Sequence, residues 1–277
     1  MVCVCRDGIL AQTFVFFIIL LVAPTSAAAP PHLLILPSDG NGRFHTNFTV
    51  LPNLAGKNRD GYLGIFTHSA NHFSIYPPSP FNCKSGLATV RDTSLAHKCI
   101  FAVNGGPFNM SGGGGCTGTV VSDGHEIASD FSGGDTMFGV TMNGSWVIGR
   151  VDNSSSIRSL GITQLVTGFN WLVYNGVSAV GAGGEQAPRT AIGIHKNGKL
   201  MILEVDGCEK CQKGRGPTMG IMADLLIAQG ARHAVNLDGG GSSTTVIRGK
   251  VVNKPTCADI AFVCQRKVST VVCVGQE

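Results

Sequence analysis

From Gly61 onward the chain alternates short apolar runs with glycine-containing turns: YLGIFTH, CIFAVNGG, TVVSDGHEI, FGVTMNGSWVIG, QLVTGFNWLVYNG, TAIGIHKNGKLMILEVDG, HAVNLDGGG, TTVIRGKVV and VSTVVCVG. Runs this short, rich in Val and Ile and bounded by glycine, predict strands. In TMNGSW and IHKNGKLMIL an Asn-Gly pair separates two runs. That pair accepts the positive φ of a tight turn, so both stretches predict hairpins. One stretch breaks the pattern. In PTMGIMADLLIAQG, residues 217–230, Met219, Met222, Leu225 and Leu226 recur at helical spacing. Pro217 suits the first turn of a helix there, and Gly230 suits its stop. A helix at this place would join LMILEVDG to HAVNLDGGG, so Asp206 and Asp238 are expected at equivalent ends of neighbouring strands. The pattern predicts an α+β fold: a single strand-rich mixed domain with twisted sheets and a few helices, its active residues at strand ends.

Residues 9–23, ILAQTFVFFIILLVA, follow Arg6 and precede PTSAAAP. The run is shorter than the roughly 20 residues of a spanning helix, and the small residues after it suit cleavage near Ala27 to Ala29. The expected organisation is a signal peptide over 1–28, an extended Pro-, Asn- and Gly-rich segment over 29–60, and one domain over 61–277. The mature chain is then expected to be soluble and lumenal or extracellular, with no stable membrane insertion. Of the 10 cysteines, Cys3 and Cys5 lie in the leader. The remainder form an even set that suits an oxidising compartment. Asn-x-Ser/Thr sequons at Asn47, Asn109, Asn143 and Asn153 agree with that compartment and are expected to carry glycans. A net charge of +4 is spread thinly, with no basic stripe, which argues against nucleic acid as a partner.

The chain holds no Walker loop, H-E-x-x-H, G-x-S-x-G elbow or EF-hand loop. Nucleotide hydrolysis, zinc proteolysis and serine-esterase chemistry lose support, and no ligand cluster calls for a metal or cofactor. Cys208 and Cys211 in DGCEKCQKG have C-x-x-C spacing; in a secreted chain this reads as a local disulfide before a redox pair or half a zinc site. Asp206 and Asp238 invite a two-carboxylate reading, since glycosyl transfer to water uses such a pair. An Asp-Gly turn is the plainer alternative. The triple glycine after Asp238 weakens that alternative, because three glycines let backbone amides approach a ligand. Arg189, in QAPRTAIGIH, has the planar fork that suits a phosphate. Asn104, in AVNGGPFNM, again closes an apolar run with a polar residue.

Taken together, FAVNGGPFNM, TVVSDG, PRTAIGIHKNGKLMILEVDG, GIMADLLIAQGARHAVNLDGGGSSTTV and QRKVSTVVCV resemble the phosphodiester glycosidase family over about Cys83 to Val274. The resemblance implies hydrolysis of the sugar C1–O bond of a sugar 1-phosphodiester, with removal of N-acetylglucosamine covering mannose 6-phosphate on a phosphorylated glycoprotein glycan. It implies bridges Cys83–Cys116, Cys99–Cys273 and Cys257–Cys264, leaving Cys208–Cys211 as a local addition. On this reading Asp206 and Asp238 serve the anomeric carbon and the attacking water, in an order left open. Arg189 holds the phosphate, helped by the amides of Gly239, Gly240 and Gly241 and the Ser242 hydroxyl. Asn104 positions sugar hydroxyls, and Gly105, Gly106, Thr190 and Asn236 complete the substrate contacts. Glu204 is expected to have no fixed role. Animal members continue into an EGF-like module, a membrane span and a sorting tail, whereas this sequence ends at Glu277; the expected place is the secretory-pathway lumen, Golgi or lysosome-like, or outside the cell, with Golgi retention against secretion left open. A non-catalytic phosphoglycan-binding module is one rival, against which the presence of Asn104, Arg189, Asp206 and Asp238 together favours the enzyme; the same chemistry on another sugar 1-phosphodiester is the second. Oligomeric state stays open.

Overall fold

The alternation along the chain resolves into three antiparallel sheets whose inner faces share one core. The structure, a computed structural model, describes residues 29–54, 59–78, 83, 86–111, 114–133 and 135–276. The expected signal peptide lies outside them. A seven-stranded sheet has the order β13 (Val177–Ser178), β12 (Trp171–Tyr174), β16 (Ala231–Asn236), β14 (Arg189–His195), β15 (Leu200–Val205), β3 (Gly61–Thr67) and β2 (His45–Leu51). A six-stranded sheet runs β1 (Leu33–Leu36), β10 (Trp146–Gly149), β9 (Met137–Thr141), β11 (Ile162–Thr167), β7 (Val120–Ser122) and β8 (His125–Ala128). A five-stranded sheet runs β18 (Lys250–Val251), β17 (Thr245–Ile247), β6 (Cys99–Asn104), β20 (Val271–Gln276) and β4 (Phe73–Tyr76). A short pair joins β19 (Lys267–Val268) to β5 (Ala88–Thr89).

Period-two alternation puts one set of side chains from each sheet into the central core. Ile192, Ile202 and Val235 enter it from the seven-stranded sheet, Phe101 and Val272 from the five-stranded, and Phe138 and Trp146 from the six-stranded. Each outer face is then covered by one helix. α3 (Met219–Ala228) packs Met222, Ala223 and Leu226 against Ala191, Leu203 and Ala234. α1 (Val90–Ala96) covers the five-stranded sheet through Val90, and α2 (Ser154–Ser159) the six-stranded one through Ile157.

Both Asn-Gly hairpins form, β9 to β10 and β14 to β15. The helix over 217–230 also forms, with a shifted start. Thr218 is its N-cap, accepting from the Ile221 N–H at 3.2 Å, so Pro217 stands ahead of the cap instead of in the first turn. Gly230 follows the cap at φ +88°, the left-handed stop that glycine allows. Segment 29–60 supplies edge strands to two sheets, β1 beside β10 and β2 beside β3. The cysteines pair as Cys83–Cys116, Cys99–Cys273, Cys208–Cys211 and Cys257–Cys264. Asn47, Asn109, Asn143 and Asn153 are all exposed, and Asn153 also caps α2 by accepting from the Ser156 N–H.

Candidate active site

β14 is antiparallel to both β15 and β16, so its first residue, Arg189, lies at the same sheet end as the last residues of the other two. The same pairing places β14 between them. Asp206 and Asp238 therefore leave parallel strands that are not neighbours, which corrects the expected adjacency. Two strand spacings separate these strands, about 9.5 Å. The chains they belong to also face different ways. Glu204 lies across from Thr190 and shares the inner face with Ile202, whereas Arg189 and Asn236 follow Ala191 and Ala234 onto the α3 face.

At this end a cavity of about 290 Å³ opens, at the small end of ligand sites. Of the expected residues, Arg189, Asn236, Asp238, Gly239 and Gly240 line it. Met110, Phe169 and Met219 give its apolar wall, and Glu185, Glu209, Asp259 and Arg266 bring charge that the sequence reading missed. The missed charges sit beside cysteines: Glu209 between Cys208 and Cys211, Asp259 and Arg266 on either side of Cys264. Read only as staples, those cysteines hid their other effect, which is to fix charged loops over a strand end.

Asp238 is clamped by its own backbone. Its N–H donates to the Gly105 carbonyl at 3.1 Å, and its carbonyl accepts from Asn104 Nδ2 at 2.7 Å. Asn104 is 0% exposed, and its Oδ1 accepts from the Thr190 hydroxyl at 2.9 Å and the Thr244 N–H at 3.2 Å. This amide thus bonds at both ends, and Asn104, fully buried and absent from the cavity lining, holds Asp238 in place. Gly106 donates its N–H to Thr270 Oγ1 at 3.0 Å, and a Cβ on it would lie 2.1 Å from the Thr167 carbonyl. Gly105, Gly106 and Thr190 build the floor under the site and do not line it. Asn104→Ala would strand the Thr190 hydroxyl, the Thr244 N–H and the Asp238 carbonyl. A loss on the order of 3 kcal/mol in unfolding free energy is expected by denaturant titration; a loss under about 1 kcal/mol would contradict the clamp.

The glycine amides are also taken. Gly239 N–H donates to Asp238 Oδ1 at 3.0 Å, Gly240 N–H to the Pro188 carbonyl at 2.8 Å, and Gly241 N–H to Asp259 Oδ1 at 2.8 Å. They are therefore not free donors for a phosphate, contrary to expectation. The glycines are needed for close approach: a Cβ on Gly239 would lie 2.8 Å from the Pro188 carbonyl, and one on Gly241 would lie 2.4 Å from Arg266. Ser242 is buried with Gly241, and neither lines the cavity. Its hydroxyl is set toward the Asp238 carboxyl but short of a formed hydrogen bond. Burial pushes the Asp238 carboxyl up to about 6, against the smaller opposing pull of the Ser242 hydroxyl, the Gly239 N–H and Arg266.

Two arginines supply the positive charge. Arg189 is 8% exposed, donates one N–H to the Glu185 carbonyl at 2.9 Å, and keeps a buried Nε without a protein partner. Arg266 grips both oxygens of Asp259 at 2.9 Å and the Cys257 carbonyl at 2.8 and 3.0 Å.

Asp206 stands apart from this cavity. Its Oδ1 accepts from the Lys254 N–H at 2.9 Å and Asn253 Nδ2 at 3.3 Å, in a buried group with Glu204 and Thr245. Asp206 is therefore not among the residues that line the cavity with Asp238, contrary to the expected pairing of the two carboxylates. Glu204, expected to have no fixed role, is 0% exposed, and burial followed by the Asp206 charge raises its carboxyl well above the ordinary value of 4.5. A group raised in the folded state gives its full stability below its unfolded value and loses it as pH climbs through the folded one. Glu204→Gln should therefore flatten the fall of Tm as pH rises above the ordinary carboxylate value of 4.5; parallel Tm curves for the two proteins would refute this.

Comparison with known proteins agrees with the motifs. The phosphodiester glycosidase family model matches residues 97–275. N-acetylglucosamine-1-phosphodiester alpha-N-acetylglucosaminidase of Mus musculus is 32% identical over 251 residues, covering 82% of this chain and 48% of that protein. The Bos taurus protein of the same name is 33% identical, covering 82% and 47%. This chain thus spans about half the length of the curated relatives it matches. A zebrafish structure described as the catalytic domain of that enzyme, auto-inhibited by its pro-peptide, superposes with TM-score 0.74 at 25% identity over 88% of both chains. Matched in sequence over most of its strands and in fold over nearly all of them, the chain belongs to the phosphodiester glycosidase family.

Proposed function

We propose that this protein hydrolyses a sugar 1-phosphodiester at the C1–O bond, releasing N-acetylglucosamine from GlcNAc-1-phospho-6-mannose on glycoproteins. One observation carries the reading: a buried carboxyl raised to about 6 shares a small cavity with a buried arginine whose Nε has no protein partner. Arg189 binds the anionic phosphate, and Arg266, already neutralised by Asp259, adds field more than direct contact. Asp238, protonated at mildly acidic pH, donates to the bridging oxygen as the C1–O bond breaks. The phosphate leaves as a monoester with the bonding electron pair, and water adds to C1. The names of the relatives support N-acetylglucosamine as the sugar. Four disulfides suit an oxidising compartment and support a lumenal or secreted setting; no helix among the described residues is long and apolar enough to cross a membrane.

A panel of sugar 1-phosphodiesters hydrolysed in H₂¹⁸O tests the chemistry. The label is expected in the free sugar, with an unlabelled phosphomonoester. Label in the phosphate would mean cleavage on the phosphorus side and would end the glycosidase reading. Preference within the panel for another sugar would keep the chemistry and replace the substrate.

A further inference from the structure

Four carboxylates line the cavity, and the mechanism above uses only Asp238. Asp259 has both oxygens bound to Arg266 and one also to the Gly241 N–H. Glu185 belongs to an exposed stretch and meets Arg189 through its backbone carbonyl. Glu209 differs from both. Its Oε2 lies 2.6 Å from where a Cβ on Gly240 would stand, two residues from Asp238, and it is only partly buried, within reach of solvent water. Its loop is short and fastened at three points. Cys208 and Cys211 are bridged, Cys208 N–H donates to the Arg215 carbonyl at 3.1 Å, and Lys210 N–H donates to the Asp259 carbonyl at 2.8 Å. Gly240, at φ +56°, keeps open the space that the Glu209 carboxylate occupies.

We infer that Glu209 is the second catalytic carboxylate of this cavity, the base that takes a proton from the attacking water, and that the Cys208–Cys211 bridge positions it. This rests on the hydrolytic reading above. As water adds to C1, its proton passes to Glu209 while Asp238 gives its own proton to the departing phosphate oxygen. One C–O bond forms and one breaks, and the two carboxyls return to their starting states by exchange with solvent. The C-x-x-C motif is then neither redox-active nor metal-binding; it aims the glutamate between its two sulfurs.

Glu209→Gln should lower kcat by ~10²-fold or more with a much smaller change in KM, and should remove the acid limb of the kcat–pH profile. Sodium azide, a small anionic nucleophile that needs no base, should restore turnover and yield a glycosyl azide. A structural role for Glu209 predicts neither the lost limb nor the rescue. The Cys208→Ser/Cys211→Ser pair, which leaves Glu209 in place but unpinned, should lower kcat by about tenfold and keep the acid limb. Full activity of Glu209→Gln beside an active wild type would overturn the assignment alone. A wild type inactive on every sugar 1-phosphodiester would overturn the hydrolytic reading with it. Equal loss of kcat and Tm without azide rescue would make Glu209 a structural residue.

Discussion

Replacing Asp238 by Asn should lower kcat by about 10³-fold while leaving the fold intact. The substitution keeps the shape of the side chain and an oxygen that can still accept from the Gly239 N–H. The backbone clamp from Asn104 and Gly105 does not involve the side chain at all. What is lost is a proton that can be given up near neutrality. Because the Asp238 carboxyl is raised to about 6, the wild type should lose activity as pH rises through that value, and the variant's residual activity should not. Stability should move the other way. A raised carboxyl contributes full stability below its unfolded value and loses it above its folded one, so at pH values above about 6 the Asn variant should be at least as stable as the wild type. Activity measured with Tm across that window separates a catalytic role from a structural one. A kcat within tenfold of wild type would remove Asp238 from the mechanism.

Arg189→Ala should lower kcat/KM on the phosphodiester by about 10² to 10³-fold. Arg189 is almost fully buried, and its free Nε makes it the cation best placed to meet an anion entering the cavity. Lysine at this position should recover little, because a point charge cannot reproduce the two-pronged contact of a planar fork with phosphate oxygens. The diagnostic comparison uses an uncharged aryl N-acetylglucosaminide as second substrate. The loss should be confined to the phosphodiester; equal losses on both would mean that Arg189 supports the cavity walls and not the phosphate.

Sequence reading reached furthest where the deciding interactions are local. An Asn-Gly pair between apolar runs closes a hairpin through the dihedral freedom of its own residues, and both predicted hairpins formed. The α3 stretch declared itself by side-chain spacing, and only its cap moved, because Thr218 offers an oxygen that Pro217 does not. The site was half legible. Asp238, Asn236, Gly239, Gly240 and Arg189 do meet in one cavity. The failures share a cause. Asp206 looked equivalent to Asp238 because both follow a strand and precede a glycine, but the insertion of β14 between their strands is a pairing choice made across the whole sheet. The amides of Gly240 and Gly241 looked free because their acceptors, Pro188 and Asp259, belong to other segments of the chain.

The sequence alone determined most of the strands, the hairpins, the main helix and the family. These follow from periodicity, turn chemistry and motif order, all written within a few residues of one another. Only the tertiary structure decided which carboxylates line one cavity. Side-chain alternation sends Glu204 into the core between sheets, where charge is costly. The Cys208–Cys211 and Cys257–Cys264 loops bring Glu209, Asp259 and Arg266 over the end of β16. Which face of a sheet a side chain joins, and which distant loop closes over it, depend on contacts between segments far apart in the chain, and such contacts leave no local pattern to read.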